Sequence, residues 1–237
     1  MSERFFVDAR IAGNSARLHG PEAHHLAHVM RAKIGEQVTL FDGSGAEYEA
    51  HIVAIGRAEV DLAVDQRREV ARESKVELTI ATALPKGDRQ RWLVEKAVEL
   101  GLAELAPLTT ERSTSRPSDG ALERLRRAVI EASKQCGRNR LMVIGEPRSW
   151  QAVVDSAPKD SLRLLAHPGG APLRQVLSRL VDQENYPRVF AAVGPEGGFT
   201  DDEVQASLAA GFEAIDLGPR VLRIETAAIA IAAAFSW

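Results

Sequence analysis

The sequence has only one cysteine, Cys136, and no long apolar run. A single cysteine excludes a disulfide within the chain, and with an N-terminus unlike a signal sequence it predicts a reducing, cytoplasmic location. The longest stretch without a charged residue runs from Thr226 to Trp237, far short of the roughly 20 residues that span a bilayer. We therefore expect no membrane segment, and an apolar final helix buried on every side, either in the core or against a second subunit.

The chain also lacks the glycine patterns of phosphate-binding loops. Its loop from Val193 to Thr200 reads G-x-x-G-G and not G-x-G-x-x-G, and no Lys-Ser/Thr pair follows it. Glu196 at the centre of this loop would repel a pyrophosphate. A neutral or cationic ligand such as S-adenosylmethionine fits better, because glycines allow close backbone approach. An ordinary tight strand-to-helix turn remains the alternative at this point.

A second glycine-centred loop runs from Leu217 to Thr226. Each of the two loops follows a short apolar run and precedes a helix-like segment. This layout predicts two turns at the carboxyl ends of neighbouring strands, where open α/β sheets bind their ligands.

Positive charge is concentrated in the middle of the chain. The net charge is −3, yet residues 84–148 hold 13 Lys and Arg against 9 Asp and Glu. One predicted helix in this band carries Arg124, Arg127, Lys134 and Arg138 along one side. Such a face suits an RNA backbone, although a solvated helix face is equally compatible with the pattern.

The pattern of elements changes near residue 70. Up to Val70 it predicts short strands and one helix, Glu22 to Arg31, as in a small β-barrel. His24, His25 and His28 fall in that helix, where surface or cap roles are favoured over a metal site. The charged run 66–75 indicates a domain boundary. Beyond it, strands and helices alternate, which predicts an α/β domain with a mostly parallel sheet.

Eight blocks of sequence, in order, resemble one known family. They are His24-His25-Leu26, Val29-Met30-Arg31, Lys86-Gly87-Asp88-Arg89, Glu95 to Gly101, Thr110 to Ser113, Glu131 to Arg138, Gly194 to Asp202 and Leu217 to Ala228. The chain thereby resembles the ribosomal RNA small subunit methyltransferase E family, of the SPOUT class. Two departures are Ile224, where the family usually has threonine, and the absence of a proline shortly after Arg138.

The resemblance implies a fold and an activity. The fold is α/β: a PUA-like, RNA-binding β-barrel (1–70) followed by a SPOUT-type methyltransferase domain (74–237), with a deep trefoil knot and the cofactor site in about 162–237. The activity is methyl transfer from S-adenosyl-L-methionine to N3 of a uridine in 16S ribosomal RNA. The implied partners are 16S rRNA, within an assembled or nearly assembled small subunit, and a second copy of the chain in a homodimer.

The resemblance also implies site residues. For this reaction the candidate catalytic residues are Arg223, beside the second loop, then Arg112 and Glu225; a purely structural role at a helix N-terminus is the alternative for Glu225. The expected cofactor-binding residues are Leu165, His167, Val193, Gly194, Glu196, Gly197, Gly198, Leu217, Gly218, Val221, Leu222 and Thr226. The expected RNA-binding residues are Arg31, Lys86, Arg89, Arg124, Arg127, Lys134 and Arg138. No metal is expected. Two rival interpretations are a nucleotide-dependent oxidoreductase or kinase-like protein, and a noncatalytic RNA-binding assembly factor.

Overall fold

A computed structural model describes residues 3–114, 117–180 and 188–236. It divides the chain into two compact units. The first comprises the chain up to Glu73 together with Ile130–Leu141, and the second comprises Ser74–Val129 and the chain from Met142 onward. The sequence predicts domains at 1–70 and 74–237, and this division stays a prediction. The sequence did not predict that Ile130–Leu141 belongs to the first unit.

The first unit is built on a five-stranded sheet. Its strands are β1 (Arg4–Phe6), β2 (Ser15–His19), β3 (Gln37–Phe41), β4 (Ala46–Ile55) and β5 (Glu59–Glu69). The order is β1-β3-β4-β5-β2, with β1 parallel to β3 and the other pairs antiparallel. Among the described residues β1 and β2 do not pair, so this sheet is a half-barrel and not the closed barrel that was predicted. Because β5 continues to Glu69, the first part of the charged run 66–75 is a strand and not a linker.

One helical segment, α1 (Gly20–His24) followed by a π-helical turn (His25–Val29), lies between β2 and β3. It begins two residues before the predicted helix Glu22 to Arg31 and ends earlier. Arg31 has φ +56°, a left-handed conformation that no helix contains. Leu26, which is 0% exposed, inserts into a core that includes Leu40 and Ile52, whereas His24, His25 and His28 are exposed.

The second unit confirms the predicted alternation of strands and helices. Its strands are β6 (Leu78–Thr82), β7 (Glu104–Thr109), β8 (Val143–Ile144), β9 (Arg148–Ser149), β10 (Ser161–Pro172), β11 (Arg188–Val193) and β12 (Glu213–Asp216). Its helices are α2 (Arg89–Glu99), α3 (Asp119–Cys136, which continues into the first unit), α4 (Trp150–Ser156), α5 (Leu173–Leu180), α6 (Asp201–Ala209) and α7 (Ile224–Ala234). The short elements β1, β8, β9 and α4 were not predicted, and Val181, predicted to end α5, lies outside the described residues.

All strand pairs of the second sheet are parallel, in the order β12-β10-β11-β6-β7-β8, with β9 beside β7. The carboxyl ends of these strands therefore lie at one edge of the sheet. The prediction that the two glycine loops follow neighbouring strands is wrong, because β10 lies between β11 and β12. A third loop thus reaches this edge between the two that were recognised.

The helix ends agree only partly with their sequence signals. Thr200 forms the predicted capping box with Glu203 at the start of α6. Asp88 precedes α2 as predicted, but its side chain makes no capping hydrogen bond.

In the final helix, α7, Ile224, Ala228 and Ile231 are buried while Thr226 and Ala233 are exposed. Within a single chain, therefore, the final helix is not buried on every side; Trp237 lies outside the described residues. None of the described helices is long and apolar enough to cross a membrane.

The structure does not place the four predicted cations on one exposed face. Helix α3 ends at Cys136, so Arg138 lies beyond it. The Arg138 side chain is only 5% exposed and donates to the Glu73 carboxylate at 2.7 Å. Lys134 is also largely buried and pairs with Glu22 at 2.9 Å. Only Arg124 and Arg127 remain exposed to solvent.

We expect Arg138→Ala to destabilise the protein by about 2–4 kcal/mol, because it leaves the partly buried carboxylate of Glu73 without its counter-charge. The matched control, Arg124→Ala, removes an exposed arginine and should change stability by less than about 0.5 kcal/mol. Urea denaturation followed by circular dichroism measures both. Equal stability of the two variants would contradict the structural role of Arg138.

Candidate functional site

A cleft of about 540 Å³ opens at the carboxyl edge of the parallel sheet. Its volume lies within the range of small-molecule sites. The cleft is lined by three loops, which follow Ala166 within β10, Val193 at the end of β11 and Asp216 at the end of β12. A ligand bound here would contact backbone from three strands of one sheet.

The loop within β10, 167–170, bulges because the pairing of β10 with β12 shifts register between Ala166 and Ala171. Gly170 lies directly against the backbone of β12, where an added Cβ would come within 2.5 Å of the Ala214 carbonyl carbon. Only glycine fits at that distance. His167 and Pro168 project into the cleft wall from this bulge, and His167 was predicted whereas Pro168 was not.

Two aromatic contacts fix the loop after β11. An added Cβ on Gly194 would approach the Phe199 ring to 3.0 Å, so the loop folds tightly over that side chain. Phe199 is 5% exposed and packs on Trp150 with ring centroids 4.6 Å apart. The turn is closed by a hydrogen bond from the Gly198 amide to the Pro195 carbonyl.

Arg112 holds the same loop from the turn after β7. Its guanidinium donates to the carbonyl oxygens of Gly197 (2.9 Å) and Phe199 (3.2 Å). The adjacent amide of Glu111 donates to the Glu203 carboxylate, which also accepts from the amide of Thr200. The sequence identified Arg112 as a candidate catalytic residue; the structure gives its guanidinium two loop carbonyls as partners.

Asp216 connects the loop within β10 to the loop after β12. One of its carboxylate oxygens accepts from the Gly218 amide at 2.7 Å, and the other accepts from the Gly169 amide at 3.3 Å. The sequence analysis did not identify Asp216. Its position as the last residue of a strand, directly before a glycine loop, could have indicated a role in holding that loop. One side chain therefore sets the separation of two walls of the cleft.

Arg223 and Glu225, the other candidate catalytic residues, lie at the start of α7. Arg223 is exposed, and in the part of the chain that the structure describes its guanidinium has no hydrogen-bond or ion-pair partner. Glu225 is 6% exposed, and one of its oxygens accepts from Arg89 at 3.4 Å. Its other oxygen is buried without a partner among the described residues. Arg89, expected to bind RNA, is thus engaged by a carboxylate at the N-terminus of α7.

Most predicted cofactor residues lie in the cleft wall, and two do not. The wall includes His167, Val193, Gly194, Glu196, Gly197, Gly198, Leu217, Gly218, Val221 and Leu222. Leu165 is fully buried in the core of the sheet, and Thr226 is exposed in the first turn of α7, outside the wall. Ile224, the departure from the family pattern, is a buried residue of the wall.

The predicted RNA-binding residues are divided between the two units. Arg31, Lys134 and Arg138 belong to the first unit, and of these only Arg31 is exposed. The second unit holds Lys86 and Arg89, which follow the carboxyl end of β6, and Arg124 and Arg127 on α3. Among the described residues no cluster of three or more His, Cys, Asp or Glu side chains has the geometry of a metal site.

Two family models match the chain. The RNA methyltransferase domain matches residues 72–236, and the RNA methyltransferase PUA domain matches residues 18–65. A curated relative from Synechocystis, ribosomal RNA small subunit methyltransferase E, is 33% identical over 93% of this chain and 71% of its own length. The chain belongs to the ribosomal RNA small subunit methyltransferase E family. The resemblance noted from the sequence is thereby confirmed.

A second curated relative and two solved structures are also similar to this chain. The Bacillus subtilis ribosomal RNA small subunit methyltransferase E is 27% identical over 92% of this chain and 88% of its own. A putative methyltransferase from Legionella pneumophila, solved with bound S-adenosylmethionine, has a TM-score of 0.88 and 32% identity, covering 99% of this chain and 97% of that one. The Neisseria gonorrhoeae family member, also solved with S-adenosylmethionine, has a TM-score of 0.88 and 28% identity, covering 99% and 96%.

We expect Asp216→Ala to separate the two loops that this carboxylate joins. Each amide loses one hydrogen-bond acceptor. Hydrogen exchange of the Gly169 and Gly218 amides should therefore become roughly fivefold to tenfold faster, which corresponds to the net free energy of one hydrogen bond for each amide. Hydrogen exchange resolved by NMR measures this effect.

Two controls define the result. Asp216→Asn keeps one carbonyl oxygen and should protect one of the two amides, and Asp202→Ala removes an exposed carboxylate on α6 without effect on either. Unchanged exchange in Asp216→Ala would show that the carboxylate does not hold the loops.

Proposed function

We propose that this chain methylates N3 of a uridine in 16S ribosomal RNA, with S-adenosyl-L-methionine as methyl donor. Its family consists of rRNA small subunit methyltransferases, and the chain is accordingly an S-adenosylmethionine-dependent rRNA methyltransferase. The observation that carries the proposal is the cleft of about 540 Å³ between the two glycine loops and the β10 bulge.

The residues of the cleft fit S-adenosylmethionine better than a phosphorylated nucleotide. Adenosine is uncharged and suits close backbone approach at Gly194 and Gly218, beside the apolar wall of Leu217 and Leu222. The carboxylate of Glu196 is compatible with a cation and would repel a pyrophosphate. When bound, the cofactor supplies an electrophilic methyl group.

We assign three different tasks to the candidate catalytic residues. N3–H of uracil is weakly acidic, so its methylation is favoured by a cation that stabilises negative charge on O2 or O4. Arg223, exposed and without a partner among the described residues, is available for that task. Arg112 positions the loop after β11 through two carbonyl oxygens. Glu225 orients Arg89, and its second oxygen, which has no hydrogen-bond partner among the described residues, is compatible with a proton acceptor.

The substrate must present its base unpaired, because N3 lies on the Watson–Crick edge of uracil. The exposed cations Arg31, Lys86, Arg124 and Arg127 are candidates for contacts with the RNA backbone. The other three predicted RNA-binding residues are paired with carboxylates and are not in this set: Arg89, Lys134 and Arg138.

Several finer features remain predictions that accompany this function. They are the SPOUT class with its trefoil knot, the assembled small subunit as the substrate, a cytoplasmic location and a homodimer. Thr226, Ile229, Ala230 and Ala233 form a partly exposed stripe of mainly small residues along α7, which supports close packing of a second copy. A nucleotide-dependent oxidoreductase or kinase-like protein does not account for the match to the RNA methyltransferase domain.

Deletion of the gene should remove 3-methyluridine, and no other modified nucleoside, from 16S rRNA. Mass spectrometry of the nucleosides measures this result, and re-expression of the chain should restore it. Calorimetric titration of the purified chain with S-adenosylmethionine, NAD and ATP separates this function from the oxidoreductase and kinase alternatives. Loss of a different nucleoside would refute the uridine assignment, and binding of NAD or ATP alone would refute the enzyme class.

Arg223→Ala should retain cofactor binding and lose methylation. The side chain is exposed and has no partner in the described part of the chain, so removing it leaves the cleft intact. It also removes a cation from the developing charge, an effect of about 10²-fold or more on kcat. The control is Arg220→Ala, which truncates another exposed arginine of the same loop. Undiminished turnover in Arg223→Ala with unchanged cofactor affinity would rule out the role.

A further inference from the structure

A second, smaller cleft of about 270 Å³ lies within the first unit. We call it the histidine cleft and define it by His24, His28, Gly20, Gly56, Arg57 and Glu59. None of these residues belongs to the cleft of the second unit, and among the described residues no group of three or more His, Cys, Asp or Glu side chains could hold a metal ion.

One wall of the histidine cleft is the helical segment after β2. His24 and His28 are four residues apart, so they project from the same side where α1 passes into the π-helical turn. Their ring centroids are 4.9 Å apart with the planes at 43°. π-Helical turns occur frequently at functional sites, and here the turn aligns two exposed imidazoles while Leu26 anchors the segment in the core.

The opposite wall is the tight turn between β4 and β5. A hydrogen bond from the Gly56 amide to the Glu59 carbonyl, 2.9 Å long, closes the turn and leaves Arg57 at its tip. In the part of the chain that the structure describes, Arg57 has neither a hydrogen-bond partner nor an ion-pair partner, and it is exposed. Most arginines of this unit are paired, including Arg4, Arg17, Arg67, Arg68 and Arg72.

The one carboxylate of the histidine cleft, that of Glu59, is paired with an arginine that it shares with a second carboxylate. Glu59 pairs with Arg17 at 3.3 Å, and Arg17 also pairs with Asp61. Beside this paired carboxylate, the cleft offers an incoming group two imidazoles and the Arg57 guanidinium, which has no partner among the described residues. All three are hydrogen-bond donors or potential donors. That set favours an anion with several oxygens, and guanidinium matches phosphate in a bidentate geometry.

We propose that the histidine cleft binds a backbone phosphate of the RNA substrate, with Arg57 as the charged anchor and His24 and His28 as donors. Its volume fits one phosphate with part of its ribose, and its open position suits a continuous strand. The inference rests on the proposed function, since it takes the substrate to be RNA. It adds a contact that fixes the position of the strand without reading its sequence.

The test measures binding of a single-stranded 16S rRNA fragment by fluorescence anisotropy at several salt concentrations. Arg57→Ala should weaken binding roughly threefold to tenfold and reduce the slope of log K against log salt by about 0.7, the loss of one phosphate contact on a single strand. The double variant His24→Ala/His28→Ala should also weaken binding. All of these side chains are exposed, so the variants are expected to fold, and their thermal melting checks this.

Matched controls are available on the same sheet. Arg68→Ala removes an exposed arginine that is paired with Glu49, and His51→Ala removes a histidine that is paired with Asp65. Both should leave the affinity and the salt slope unchanged. Wild-type affinity and slope in Arg57→Ala would overturn the inference, as would an equal loss in Arg68→Ala.

Two further measurements separate this inference from the proposed function. In methylation assays at varied RNA concentration, Arg57→Ala should raise the KM for RNA roughly threefold to tenfold and change kcat much less, because it removes a contact with the strand outside the methyl-transfer cleft. Methylation by the wild type with unaltered RNA binding in the variant would reject the histidine cleft and leave the function standing. A titration with uridine monophosphate tests the other source of the phosphate. Binding of the free nucleotide as tight as that of RNA, and lost in Arg57→Ala, would assign the cleft to a nucleotide and overturn the RNA contact.

Discussion

The candidate site depends on the close approach of β10 to β12. At Gly170 the two backbones are so near that any side chain would collide with the peptide group after Ala214. The register of β10 against β12 shifts between Ala166 and Ala171, and two of the four intervening residues, His167 and Pro168, line the middle of the cleft. Parallel strands direct the remaining loops to the same edge, so the cleft is a consequence of strand order and not of any single motif.

Side chains from outside the glycine loops hold those loops in shape. Glycines allow the close turns but provide no side chains to fix them. Asp216 joins two loops through backbone amides, and Arg112 holds the third through backbone carbonyls. Glu203 contributes through both its capping box and the amide of Glu111. Three charged residues thus preorganise the backbone that faces a cofactor, and none of the three needs to touch the cofactor.

The sequence predicted local features well and long-range pairings poorly. The glycine loops, the capping box of Thr200 and the parallel α/β character follow from short-range preferences that single residues express. The position of β10 between β11 and β12 depends on contacts between distant strands, which no local pattern encodes. Asp216 escaped notice for a related reason: its function is defined by Gly169, which lies far before it in the chain.

The same distinction applies to the positive charges. Arg138 and Arg57 are equivalent in a count of basic residues, yet Arg138 is buried against Glu73 whereas Arg57 is exposed at the tip of a turn. A buried arginine that is paired with a carboxylate has already exchanged its hydration for that partner, so binding a phosphate would require breaking the pair. An exposed arginine without a partner retains its full charge for a ligand. Pairing, more than the density of cations along the sequence, therefore determines which basic residues of this chain are available to RNA.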